Sequence, residues 1–126
     1  MEGQVQLTSG IRELTVKATL WRWSNGDVAL RVTGDAVELL RRHVNEAVEV
    51  AVLDKAERAI TMFKSTLRFY KSNGHDYLVI FYPRKLTPML PIIEQSKDPD
   101  GKIWVALRLL GIKKPSRRIK EEVRMG

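Results

Sequence analysis

The sequence predicts a mainly β fold with short helices, an internal duplication in which one chain supplies both halves of a pseudo-dimer. Three observations carry that expectation. Short strands with period-two alternation dominate, Asn-Gly turns join them in pairs, and the order of elements is repeated. Thr19-Leu20 followed by Ser24-Asn25-Gly26-Asp27 returns as Thr66-Leu67 followed by Ser72-Asn73-Gly74 and Asp76. Lys17 matches Lys64, Leu39-Leu40 matches Met89-Leu90, and Val48 to Leu53 matches Ile103 to Leu107 in pattern, with Ala51 over Ala106. The offset grows from 47 at Thr19/Thr66 to 55 at Ala51/Ala106, as longer loops in the second copy require. Two copies are too few for a solenoid, so they are expected to pack on each other. The expected organisation is one domain over residues 1–110, built from repeat 1 (14–63) and repeat 2 (63–110), then a basic C-terminal tail over 111–126.

The elements follow in order. Residues 14–23 alternate, with Val16, Ala18 and Leu20 on one side and Lys17, Thr19, Trp21 and Trp23 on the other, the period of a half-buried strand. Ser24 to Asp27 is a turn, because Asn-Gly accepts the positive φ angles of tight hairpins. Val28, Leu30 and Val32 complete the hairpin. A helix is expected over about Ala36 to His43 with Asp35 as its N-cap. Val48 to Leu53 reads as a third strand and Ala59 to Phe63 as a short fourth one running on into the second copy. The second copy repeats the order. Phe63 to Tyr70 and Tyr77 to Tyr82 flank a turn, the latter apolar on both faces. Pro83 then opens a short helix that Pro88 and Pro91 cut short, and the strand Ile103 to Leu109 follows a loop. Trp104, inside that apolar strand, reads as a core or edge residue.

Composition narrows the function classes. The chain of 126 residues is 44% hydrophobic and 29% charged, ordinary for a globular domain. No apolar run is long enough to span a bilayer, and Met1-Glu2-Gly3-Gln4 does not open a leader, so a cytoplasmic protein without a membrane partner is expected. The absence of cysteine removes disulfides, thiolate nucleophiles and thiolate metal sites. The net charge of +7 is uneven: residues 1–60 hold 8 Lys/Arg and 9 Asp/Glu, residues 61–126 hold 14 and 6. A basic half suits a polyanion, nucleic acid first. His43 and His75 lack ligand spacing and catalytic neighbours, and no phosphate loop or nucleophile elbow occurs. A non-enzymatic protein with no metal and no cofactor is therefore expected.

The segment Trp21-Arg22-Trp23-Ser24-Asn25-Gly26-Asp27-Val28-Ala29-Leu30-Arg31-Val32, together with Asn45-Glu46-Ala47-Val48-Glu49-Val50, resembles the AbrB/MazE-type swapped-hairpin DNA-binding domain. The resemblance covers 14–63 in detail and the second copy in skeleton. It implies a swapped-hairpin β-barrel, here closed within one chain, whose basic hairpins dock on duplex DNA. Such a protein would be a transcription regulator or a small chromatin-associated protein, acting as a monomeric pseudo-dimer or a homodimer of it. Antitoxins of that family carry an acidic C-terminus. Here residues 111–126 hold six Lys/Arg and two Glu, which points away from that role.

The expected nucleic-acid contacts are Lys17, Arg22, Arg31, Lys64, Arg68 and Lys71 on the hairpins, with Lys17, Thr19 and Trp21 on the same face as Lys64, Thr66 and Arg68. Arg84 and Lys85 follow at a helix N-terminus, where the dipole favours phosphate over cations. Lys113, Lys114, Arg117 and Arg118 lie in the tail. Trp21 and Trp23 either stack on unpaired bases or are scaffold, capping the barrel or packing under the C-terminal tail. With Phe69 and Tyr70 they define an alternative, a single-stranded DNA or RNA binder with an aromatic, basic sheet face. A further alternative is a protein-interaction module for an acidic partner.

Overall fold

Alternating apolar residues close this chain into a ring rather than a layered sheet. The computed structural model describes residues 13–113. Its strands are β1 (Glu13–Arg22), β2 (Val28–Val32), β3 (Glu46–Leu53), β4 (Ala59–Ser72), β5 (His75–Phe81) and β6 (Ile103–Lys113). Helix α1 (Asp35–Leu40) runs into a 3-10 turn (Arg41–His43), and a 3-10 segment (Arg84–Met89) leads into α2 (Leu90–Gln95). The strands form a closed antiparallel barrel in the order β1-β2-β5-β4-β3-β6.

The duplication read from the sequence is present in the pairing itself. Exchanging β1, β2 and β3 for β4, β5 and β6 leaves the ring order unchanged. The register agrees residue by residue: Leu20 opposes Leu30 as Leu67 opposes Ile80, and Lys17 opposes Trp104 as Lys64 opposes Glu49. The two self-paired contacts fall where symmetry demands, Leu30 against Ile80 and Ala51 against Ala106. A pseudo-two-fold axis runs through both pairs. Each half's third strand pairs only with strands of the other half: β3 with β4 and β6, β6 with β1 and β3. The halves are therefore interleaved.

Period-two alternation sends one row of each strand inward. Val16, Ala18, Leu30, Val50, Leu67, Leu78, Ile80 and Leu107 are buried in one cluster, joined by Val37 and Leu40 of α1 and by Leu90 and Ile93 of α2. Both helices present an i, i+3 pair to the core. The hairpins differ in their turns. Asn73 and Gly74 both take positive φ, as a two-residue turn between Ser72 and His75 needs. In the first hairpin only Gly26 does so, and Asn25 instead accepts the Asp27 backbone N–H through its side chain at 2.9 Å.

The strand from Ala59 runs on through Phe63 into the second copy, as the sequence predicts, while other expectations are corrected. No Gly or Pro interrupts the chain from there to Ser72, so β4 runs unbroken, pairing with β3 over its first part and β5 over its last. Asp35 is the first helical residue, Gly34 holds the N-cap position, and Arg41 to His43 tighten into the 3-10 turn. Pro91 sits in the first turn of α2 rather than ending a helix, since its missing N–H costs nothing there. β6 continues to Lys113, so residues 111–113 belong to the barrel, and the rest of the expected tail lies outside the described residues. Trp104 faces outward, 41% exposed.

Candidate nucleic-acid interface

The outward rows of β1, β2, β5 and β4 meet on one wall of the barrel, and their cross-strand register sets what neighbours what. Trp21 opposes Ala29, Ala29 opposes Phe81, Arg31 opposes Val79, Val79 opposes Arg68, and Tyr70 opposes Tyr77. Ala29 and Val79 face outward yet are only 0% and 3% exposed, because larger groups lie over them. Around that floor Trp21, Tyr70 and Phe81 remain 39%, 45% and 38% exposed. Trp23 stacks on Phe81 with ring centroids 5.4 Å apart. A hollow of about 210 Å³ opens among Trp21, Trp23, Ala29, Arg31, Tyr70, Ser72, Tyr77 and Val79. Contiguous exposed aromatics of this kind mark an interaction surface more often than a plain solvent face.

Arg31 stands at the centre of that wall. Its guanidinium carbon lies 4.0 Å from the Trp21 ring centroid and 4.6 Å from that of Tyr77, a cation between two π faces. Among the described residues its Nε is buried without a hydrogen-bond acceptor.

The other expected contacts are placed differently. Lys17 pairs with Asp98 at 3.0 Å and Asp100 at 3.8 Å and lies over Trp104. Its hydrogen bond to Asp98 raises its pKa. Hydrogen bonds with Asp100, with the Lys102 backbone N–H and with Lys17 hold the Asp98 carboxyl well below the carboxylate range. Arg22 pairs with Glu94 at 2.9 Å. Glu94 is held below its ordinary value first by Lys97 and then by Arg22. Arg84 grips Asp27 at 2.6 Å and 2.9 Å, which lowers the Asp27 carboxyl. Lys71 is 3.7 Å from Asp76, which Arg41 also holds at 2.6 Å. Arg68 donates to Asn45 Oδ1 at 2.7 Å. Lys64 and Lys85 are exposed. Lys113 ends β6, while Lys114, Arg117 and Arg118 lie outside the described residues.

Two placements correct the sequence reading. β2 and β5 separate β1 from β4 in the ring, so the row Lys17, Thr19, Trp21 does not lie beside the row Lys64, Thr66, Arg68, and only the strand ends carrying Trp21 and Tyr70 meet across the hollow. Phe69 shares the parity of the buried Leu67 and lies against the core beneath the Arg41 guanidinium, at 4.8 Å, away from Tyr70. Tyr77 and Phe81 were not singled out from the sequence. The signal was present in the alternation of β5, where Tyr77, Val79 and Phe81 fall opposite Leu78 and Ile80.

His43 Nδ1 sits 2.8 Å from Glu46 Oε2, a largely enclosed pair remote in register from the aromatic wall. No cluster of three metal-ligating side chains occurs among the described residues, and no described helix is long and apolar enough to cross a membrane. Comparison with protein-family models, curated proteins and solved structures finds no match.

Proposed function

We propose that this protein binds single-stranded nucleic acid, without catalysis, on the outer wall formed by β1, β2, β5 and β4. The observation that carries the reading is the row of exposed rings around an arginine that no carboxylate neutralises among the described residues. Every base has a π face, so Trp21, Tyr70 and Phe81 offer stacking platforms worth about 1–3 kcal/mol per base. Arg68 and the exposed Lys64, farther along β4, supply charge toward a backbone leaving the aromatic wall.

Duplex docking as a transcription regulator, the first expectation from the sequence, needs free cations along one ribbon to meet phosphates. Lys17, Arg22, Lys71 and Arg84 are instead engaged by Asp98, Glu94, Asp76 and Asp27. Binding a duplex through them would break those pairs first.

The test is competition. A labelled single-stranded oligonucleotide is displaced by unlabelled strand or by the same sequence as a duplex, while tryptophan fluorescence is followed. Single strands are expected to compete at concentrations where duplex does not, and to quench the tryptophans. Stronger competition by duplex would favour hairpin docking. Binding of neither would leave an acidic protein partner as the better reading.

A further inference from the structure

We infer that Arg31 reads bases, and that the hollow beside it selects guanine from the bound strand; this rests on the single-strand reading above. Rings from the two flanking strands lie against the guanidinium, Trp21 of β1 at 4.0 Å and Tyr77 of β5 at 4.6 Å. With the rings crowding its π surface, the group offers a ligand its N–H edges. The rings also fix the direction of those edges, so the fork is oriented before any ligand arrives. Nε is buried with no acceptor, the sole such side-chain atom among the described residues. Nε is enclosed, so the partner that the unspent donors call for meets the terminal N–H groups of the fork.

The adjoining hollow restricts what that partner is. At about 210 Å³ it is smaller than the roughly 300–1,000 Å³ of pockets for drug-sized ligands. Its lining of Trp21, Trp23, Tyr70, Tyr77 and Val79 is mostly ring and hydrocarbon. A phosphate would lose its hydration there against few donors, whereas a flat heterocycle would stack. The occupant must then be planar and present two adjacent acceptors to a donor-only fork. Guanine does so with O6 and N7. Adenine sets a donor beside its N7, and thymine or uracil separates its two carbonyls by an N–H. Cytosine has adjacent O2 and N3 acceptors when unpaired but covers less ring area. The expected order is guanine, then cytosine, then adenine and thymine.

The experiment uses the full chain and labelled oligothymidylate strands carrying one central guanine, cytosine, adenine or thymine, measured by anisotropy. One guanine is expected to tighten binding about 5- to 150-fold over thymine, the discrimination of a good bidentate contact. Replacing it by 7-deazaguanine, which keeps the ring shape but lacks N7, should return most of that gain in the unmodified protein. Arg31→Met removes every donor of the fork and should bind all four strands alike. Strands bound equally whatever the central base, or 7-deazaguanine bound as tightly as guanine, would overturn base reading and leave the single-strand function standing. Failure of every strand to bind would remove both.

Discussion

The two ends of the pseudo-two-fold axis have the same backbone construction and opposite surfaces. At one end Leu30 meets Ile80, both turned inward, and the flanking outward residues are Ala29, Arg31, Val79 and Phe81. At the other Ala51 meets Ala106, both turned outward, and the arginine beside them, Arg108, reaches directly across to Glu49 at 2.6 Å and 2.9 Å. A hollow of about 410 Å³ lies over this second pair, with Glu13, Thr15 and Met62 among its walls. Each end has an arginine on a central strand. One has a carboxylate as its cross-strand neighbour and closes on itself; the other has rings from both flanking strands and keeps its donors unspent. The duplication supplied two equivalent platforms, and side-chain choice made one a self-satisfied surface and the other a candidate site.

The largest expected contrast lies under the two surfaces. Leu30 is fully buried at the axis, so Leu30→Ala should cost about 2–5 kcal/mol through lost transfer energy and the cavity left behind. Ala51 sits on the outer row, and Ala51→Ser should change stability by less than about 0.5 kcal/mol. Urea unfolding of both variants checks this. Similar losses at both positions would mean that the second end is packed as tightly as the first.

The next contrast is functional. Trp21→Ala should weaken single-strand binding by about 1–3 kcal/mol with the fold preserved, since the ring is 39% exposed and removes one platform. Arg108→Ala, at the opposite end, should leave affinity unchanged even though it removes a positive charge. Equal losses in the two variants would show that charge, rather than this wall, controls binding.

Acid should act on the charged rim before it reaches the core. Asp27, Glu94 and Asp98 all have carboxyls held below their ordinary values by hydrogen-bonded partners: Arg84 for Asp27, Lys97 then Arg22 for Glu94, Asp100 then Lys102 and Lys17 for Asp98. A depressed carboxylate stabilises the fold above its unfolded value, near pH 4, and loses that contribution as pH falls through the lower folded value. Thermal melting should therefore be level from pH 7 to about pH 5 and decline below pH 4. A midpoint rising on acidification would contradict these pairings.

Much of the frame could be read from the sequence because its signals are local. The Asn-Gly turns, the alternation of Val16, Ala18 and Leu20, and the offsets at Thr19/Thr66 and Ala51/Ala106 each depend on residues close in the chain or on pattern alone. Those offsets recur in the strand register. The neutralised cations could not be read, because Arg22 finds Glu94 and Arg84 finds Asp27 across 72 and 57 residues. Composition counts such charges as free, whereas ring closure brings each beside its partner. Phe69 and Tyr70 illustrate the same limit at one step of spacing: adjacent aromatics on a strand face opposite sides, and only the register of β4 against β5 says which is outside.

The smallest effects test the two arginines directly. Glu49 and Arg108 form an exposed cross-strand pair, for which a double-mutant cycle should return a coupling of about 0.2–1 kcal/mol, shrinking with added salt. Arg31 should behave with the opposite sign. Arg31→Met fills the space between Trp21 and Tyr77 with a flexible apolar chain. It gives up two cation–π contacts of about 0.5–1 kcal/mol each and removes a buried donor whose missing acceptor costs about 1–3 kcal/mol or more. Stability should stay level or rise slightly while guanine preference disappears. A cycle giving zero at Glu49–Arg108 would make Arg108 a mere solvent charge. A marked loss of stability in Arg31→Met would mean that Nε already has an acceptor in the folded protein, and the contrast between the two ends would collapse.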